Sequence, residues 1–85
     1  MFSVEFSSLA KHFLKKSDKP LTERIIQRIE KLAEDPFPSD VKRVVNRKEK
    51  VFRIRVGDYR IQYTILYEKK LIFISDIDKR EKAYD

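Results

Sequence analysis

Three arginines, Arg53, Arg55 and Arg60, flank the dipeptide Gly57-Asp58 within the segment VFRIRVGDYRIQYTILY, residues 51–67. A guanidinium group is planar, permanently charged and shaped to hold two oxygens of a phosphate or carboxylate at once. Three of them on one patch would make an anion site. Gly57-Asp58 is a two-residue turn of the kind that joins antiparallel strands with a tight, right-twisted bend. Folding about it pairs Val56 with Tyr59, Arg55 with Arg60, Ile54 with Ile61, Arg53 with Gln62 and Phe52 with Tyr63. Side chains alternate across a strand. One face therefore carries Phe52, Ile54, Val56, Tyr59, Ile61, Tyr63 and Ile65, and the other carries Arg53, Arg55, Arg60, Gln62 and Thr64. Like charges directly opposite each other destabilise a sheet, so Arg55 facing Arg60 implies a multiply charged anion between the guanidinium groups.

The rest of the chain must hold that hairpin. Residues 2–6, FSVEF, alternate apolar and polar as a short half-buried strand does. Ser7 or Ser8 offers an N-cap for a helix to about Lys16, with Leu9, Ala10, Phe13 and Leu14 as its apolar stripe. Pro20 suits the first turn of a second helix, where its missing N–H costs nothing. Leu21, Ile25, Ile26, Ile29, Leu32 and Ala33 recur at helical spacing to about Asp35, and Pro36 and Pro38 end that helix. From Val41 the pattern changes to strands, roughly 42–46, 51–56, 59–67 and 71–77, with a turn near Glu68-Lys69-Lys70 and a polar tail from Asp76. The expected architecture is α+β. It comprises an N-terminal strand and two antiparallel helices packed on one face of an antiparallel sheet, leaving the arginine face open.

Bulk properties narrow the function. The 85 residues make one small domain, 1–85, with no segment long enough for a transmembrane helix. No signal peptide is evident, so a cytoplasmic protein is expected. There is no cysteine and a single histidine, His12, which rules out thiolate and histidine-cluster metal sites. His12 falls on the first helix, where it covers helix surface. Lysine and arginine number 20 against 14 aspartate and glutamate, a formal charge of +6. Such an excess favours a polyanionic partner, either nucleic acid or an acidic protein.

The string FRIRVGDYRIQY, followed by KREKAY near the end, resembles the RelE toxins of the RelE/ParE superfamily, and the resemblance covers nearly the whole chain. It implies the RelE-like fold and the toxin of a type II toxin–antitoxin system that enters the ribosomal A site and cuts mRNA. On this resemblance the catalytic residues are Arg53, Arg55, Arg60, Arg80 and Tyr84. Arg53 and Arg55 stand where other members carry lysine. The resemblance also implies a cognate antitoxin, usually small and acidic, and no cofactor.

Cleavage of RNA by its own 2′-OH requires that oxygen in line with the phosphorus, removal of its proton, and stabilisation of charge on the phosphoryl oxygens and the leaving 5′-oxygen. Arginines serve the last task. Arg60, on the most rigid strand position, is expected nearest the scissile phosphate, and Arg80 near the leaving oxygen. Tyr84 either acts as a phenolate, favoured by neighbouring cations, or stacks on a substrate base. Positioning by the ribosome supplies part of the catalysis, and no metal is needed. Lys42, Arg43, Arg47, Lys48, Lys50 and Lys79 are either solvated surface or contacts to RNA phosphates. Leu66 and Phe73, if paired, make a small apolar patch on the otherwise polar face. Two further functions fit the same residues: a ParE-like, non-enzymatic inhibitor of DNA gyrase, and an RNA- or ribosome-binding protein without cleavage.

Overall fold

The computed structural model describes residues 1–44 and 50–79. The chain runs β1 (Ser3–Phe6), α1 (Ser8–Lys16), α2 (Lys19–Glu34), β2 (Lys42–Arg43), β3 (Phe52–Val56), β4 (Tyr59–Leu66), a short 3-10 turn (Tyr67–Lys69) and β5 (Leu71–Lys79). Both helices start at side-chain caps. Ser7 Oγ accepts the Ala10 N–H at 3.1 Å, and the Asp18 carboxylate accepts the Leu21 N–H at 2.9 Å. Each cap satisfies a donor that the first helical turn leaves open.

The sheet has the order β1-β5-β4-β3-β2. Strands β3, β4 and β5 form the expected antiparallel meander, and β2 joins its edge antiparallel to β3. The N-terminal strand lies parallel to β5, Ser3 beside Leu71 through Phe6 beside Ile74. The sheet is therefore mixed rather than wholly antiparallel, because α1 and α2 carry the chain back across it between β1 and the meander. Both helices cover one face. Ile25, Ile29 and Leu32 of α2 and Ala10 of α1 share a core with Ile54, Ile61, Tyr63, Ile72, Ile74 and Ile77.

The hairpin follows the expected register at all five pairs, Phe52–Tyr63 to Val56–Tyr59. Gly57 has φ +59, while Lys70 is the one non-glycine at positive φ among the described residues, so Asp58 keeps the negative φ of a type II′ turn. A Cβ at Gly57 would also lie 3.1 Å from Arg24 Nη2. Gly57→Ala is expected to destabilise by about 1–2 kcal/mol in denaturant unfolding, the cost of a left-handed backbone for an L-residue.

Tyr63 is fully buried and donates its hydroxyl to the Pro36 carbonyl at 2.6 Å, fastening the loop after α2 to the sheet. Burial pushes this phenol well above its ordinary value of 10.0, with Asp40 and Asp35 adding to the shift and Arg28 opposing it. The folded state thus holds the proton that the unfolded chain releases. Its stabilisation is complete below pH 10 and falls as pH rises through and beyond that value, by up to about 1.4 kcal/mol per pH unit. Tyr63→Phe should remove that alkaline slope in pH-dependent unfolding. At neutral pH it should cost about 1–3 kcal/mol for the orphaned carbonyl.

Three expectations fail locally. Leu9 is 67% exposed rather than part of the α1 stripe, which rests on Ala10 with Phe13 and Leu14 packed beside it. Strand β4 ends at Leu66 rather than residue 67, and Tyr67 projects into solvent from the 3-10 turn. Leu66 pairs with Leu71, and Phe73 with Thr64, so Leu66 and Phe73 are diagonal neighbours rather than a direct pair.

Candidate functional site

On the face opposite the helices, β3 and β4 bring Arg53, Arg55 and Arg60 together. Arg53 lies across from Gln62, and Arg55 across from Arg60. Lys42 of β2 pairs with Arg53 and extends the basic row to the sheet edge. Asp40, Lys42, Arg53 and Arg55 line a shallow cavity of about 220 Å³ there.

The remaining sequence candidates divide differently. Arg43 pairs with Phe52, and Lys79 with Tyr59, so both belong to the helix side of the sheet and do not join the arginines. Lys50 is exposed just before β3. Arg47, Lys48, Arg80 and Tyr84 lie outside the described residues. His12 is exposed and lines a cavity of about 520 Å³ between α1 and β5, on the side away from the arginines.

An irregularity in β5 brings a carboxylate, Asp78, to the arginine face. Ile72 and Ile74 point into the core, so strict alternation would bury Asp76 and Asp78 beneath the helices. Instead Tyr63 pairs with Ile74 while Gln62 pairs with Asp76, and Ser75 is a bulged extra residue. Two hydroxyls hold it: Ser75 Oγ donates to the Gln62 carbonyl at 3.2 Å, and Ser7 Oγ donates to the Ser75 carbonyl at 2.8 Å. The phase change buries Ile77, and the strand continues as a ladder to Lys79 where the sequence reads as polar tail. Asp78 now lies opposite Arg60. Its Oδ1 accepts from Arg60 Nε at 3.1 Å, and its Oδ2 from Arg60 Nη2 at 2.9 Å. Part of the counter-charge expected from a bound anion is thus supplied by the chain itself. The spacing of apolar residues at 72, 74 and 77 is the sequence signal for this bulge.

A second feature escapes strand-based reasoning. Arg24, Arg28 and Lys31 lie at i, i+4 and i+7 on α2 and share a helix face. With Gln27 they border a cavity of about 260 Å³ closed on its other side by Arg55 and Gly57. Arg28 is also ion-paired to Asp40. Arg55 contributes to both this cavity and the one at Lys42, so the cationic surface passes around the edge of β3 from the open face to α2. Such a surface suits a phosphate backbone, which offers one charge per nucleotide and needs no base-specific reading.

Comparison with known proteins identifies the family. The family model described as the ParE toxin of the type II toxin–antitoxin system, parDE, matches residues 4–84. The protein named "Putative toxin RelE1" from Methanocaldococcus jannaschii is 34% identical over 86 aligned residues, spanning 98% of this chain and 94% of the relative. Among solved structures, the fold superposes on the archaeal RelE–RelB complex from Pyrococcus horikoshii with a TM-score of 0.82 at 24% identity, covering 96% of this chain and 98% of that one. The isolated RelE toxin of E. coli gives 0.82 at 19% identity, covering 99% and 89%. The RelBE2 toxin–antitoxin complex of Mycobacterium tuberculosis gives 0.77 at 25% identity, covering 93% and 98%. With a family model spanning almost its full length and a relative above 30% identity, this chain belongs to the ParE/RelE family of type II toxin–antitoxin toxins.

Proposed function

We propose that this protein is a ribosome-dependent mRNA endoribonuclease that cuts mRNA in the A site and halts translation. The observation that carries the proposal is the convergence of Arg53, Arg55 and Arg60 on adjacent strands, on the one sheet face the helices leave open. In this mechanism the substrate phosphate rests against the guanidinium groups. The 2′-oxygen attacks phosphorus, its proton leaves, and the 5′-oxygen departs. The products are a 2′,3′-cyclic phosphate and a 5′-hydroxyl. Arg60 stabilises the charge that builds on the phosphoryl oxygens. Arg80 and Tyr84 belong to the proposed constellation through family resemblance, Arg80 at the leaving oxygen and Tyr84 as proton acceptor or base-stacking ring. The reaction uses no metal, and alignment of the mRNA by the ribosome contributes to the rate.

Lys42, Arg43, Arg47, Lys48, Lys50 and Lys79, together with the Arg24–Lys31 face of α2, would hold ribosomal RNA phosphates. Lys42→Ala, Lys50→Ala and Arg24→Ala are each expected to weaken ribosome binding and to lower the slope of log affinity against log salt by about one. The cleavage pattern should stay unchanged, because these residues position the protein rather than read bases. The partner in the resting state is an antitoxin. Relatives of this fold were crystallised as RelE–RelB and RelBE complexes, and the formal charge of +6 suits an acidic wrapping protein.

The deciding experiment incubates purified protein with ribosomes programmed with a defined mRNA and maps the ends. A cut within the A-site codon, leaving a cyclic phosphate, supports the proposal. Intact mRNA with folded protein rejects it. The match of residues 4–84 to the ParE description favours gyrase inhibition as the second function. That alternative predicts blocked supercoiling while translation continues. The protein binding ribosomes with a steep salt dependence but leaving no cut product would mark the non-cleaving member.

A further inference from the structure

We infer that Asp78 is a positioning residue for Arg60, delivered to the arginine face by the bulge at Ser75. The inference rests on the nuclease reading for its catalytic consequence, and on the geometry of β5 for the contact itself.

The Asp78 carboxylate takes the side edge of the guanidinium, engaging Nε and Nη2 together at 3.1 and 2.9 Å. Two parallel bonds fix the plane of the group as well as its place, which a single bond does not. Stability alone gives little reason for the pair. Its side chains are 24% and 39% exposed, and an ion pair that open to water is worth about 0–1 kcal/mol. The contact also depends on a device. Regular alternation after Ile74 would place Asp78 on the helix side, and only the extra residue at Ser75 turns it to the open face. That extra residue is clamped through Ser75 Oγ to β4 and through Ser7 Oγ to the start of α1. A guanidinium that must meet a phosphate in the transition state gains from being held beforehand, since ordering it costs nothing at the moment of reaction. Asp78 also offsets part of the repulsion between Arg55 and Arg60, which pair across the ladder.

The test compares wild type with Asp78→Ala, Asp78→Asn and Asp78→Glu. Steady-state cleavage on programmed ribosomes gives kcat and KM, and NMR follows the Arg60 Nε–H signal. Loss of positioning predicts a kcat lower by about 10- to 100-fold in Asp78→Ala, with KM changed by less than about twofold. Asp78→Asn should lie between, and Asp78→Glu should recover part of the rate. The Nε–H proton should exchange with water faster in Asp78→Ala than in wild type. Cleavage by Asp78→Ala at or above the wild-type rate would overturn the inference, because the carboxylate would then merely compete with substrate. A raised KM with unchanged kcat would overturn it too, assigning Asp78 to binding. If wild type itself does not cut, the nuclease reading fails, and the Nε–H exchange still decides whether Asp78 holds Arg60: equal exchange in both proteins refutes the contact.

Discussion

Arg60→Ala should reduce mRNA cleavage on programmed ribosomes by about 10²- to 10³-fold, the scale of losing one preorganised donor to a developing oxyanion. Folding should hardly change. The residue is partly exposed and its pair with Asp78 is worth at most about 1 kcal/mol, so thermal unfolding should shift by a few degrees only. The separation of the two effects is the informative part. Core residues lose activity through stability, whereas Arg60 should lose it with the fold intact. Removing the arginine also relieves its repulsion with Arg55, which offsets part of the lost ion pair. Arg60→Lys keeps the charge but replaces a planar fork by a point charge, and its rate should fall between wild type and Arg60→Ala. Equal rates in wild type and Arg60→Ala would remove Arg60 from the chemistry and leave the open face as a binding surface.

The legible parts of this molecule are those governed by local rules. Gly57-Asp58 sets the hairpin register, and from it follow the five β3–β4 pairs and the two faces of the ladder. Ser7 and Pro20 mark helix starts because capping and the fixed proline backbone act within one turn, whereas the cap Asp18 reads as loop. The parallel pairing of β1 with β5 is different. It joins Ser3 to Leu71 across the length of the chain, and nothing near either strand announces it. The pair Arg60–Asp78 was hidden for a related reason. Reading DID as the start of a polar tail ends β5 too early, although Ile77 is buried and breaks the period of two set by Ile72 and Ile74. Likewise Arg24, Arg28 and Lys31 read as the wet side of α2, because a helix considered alone does not reveal that Arg55 and Gly57 stand opposite. Arg53, Arg55 and Arg60 needed only a hairpin; their counter-charge and their extension around the sheet edge needed tertiary structure.

The bulge makes a second large effect predictable, and it separates two deletions of equal length. Removing Ser75 should leave a folded protein. With that residue gone, Ile74 still pairs with Tyr63, Asp76 with Gln62, Ile77 with Ile61 and Asp78 with Arg60, now as a regular ladder. The losses are the two hydroxyl-held contacts and some local twist, together about 1–3 kcal/mol. Removing Gln62 from β4 should instead remove a large share of the stability. Strand β4 has no spare residue against β3, so its deletion sends either Ile61 or Tyr63, both fully buried, to the open face. Exposing one such side chain and leaving its cavity costs about 3–5 kcal/mol, a large share of the stability of a domain this small. Far-ultraviolet circular dichroism and denaturant titration distinguish the outcomes directly. A ΔSer75 variant as unstable as ΔGln62 would show that Ser75 is not the extra residue that turns Asp78 toward Arg60.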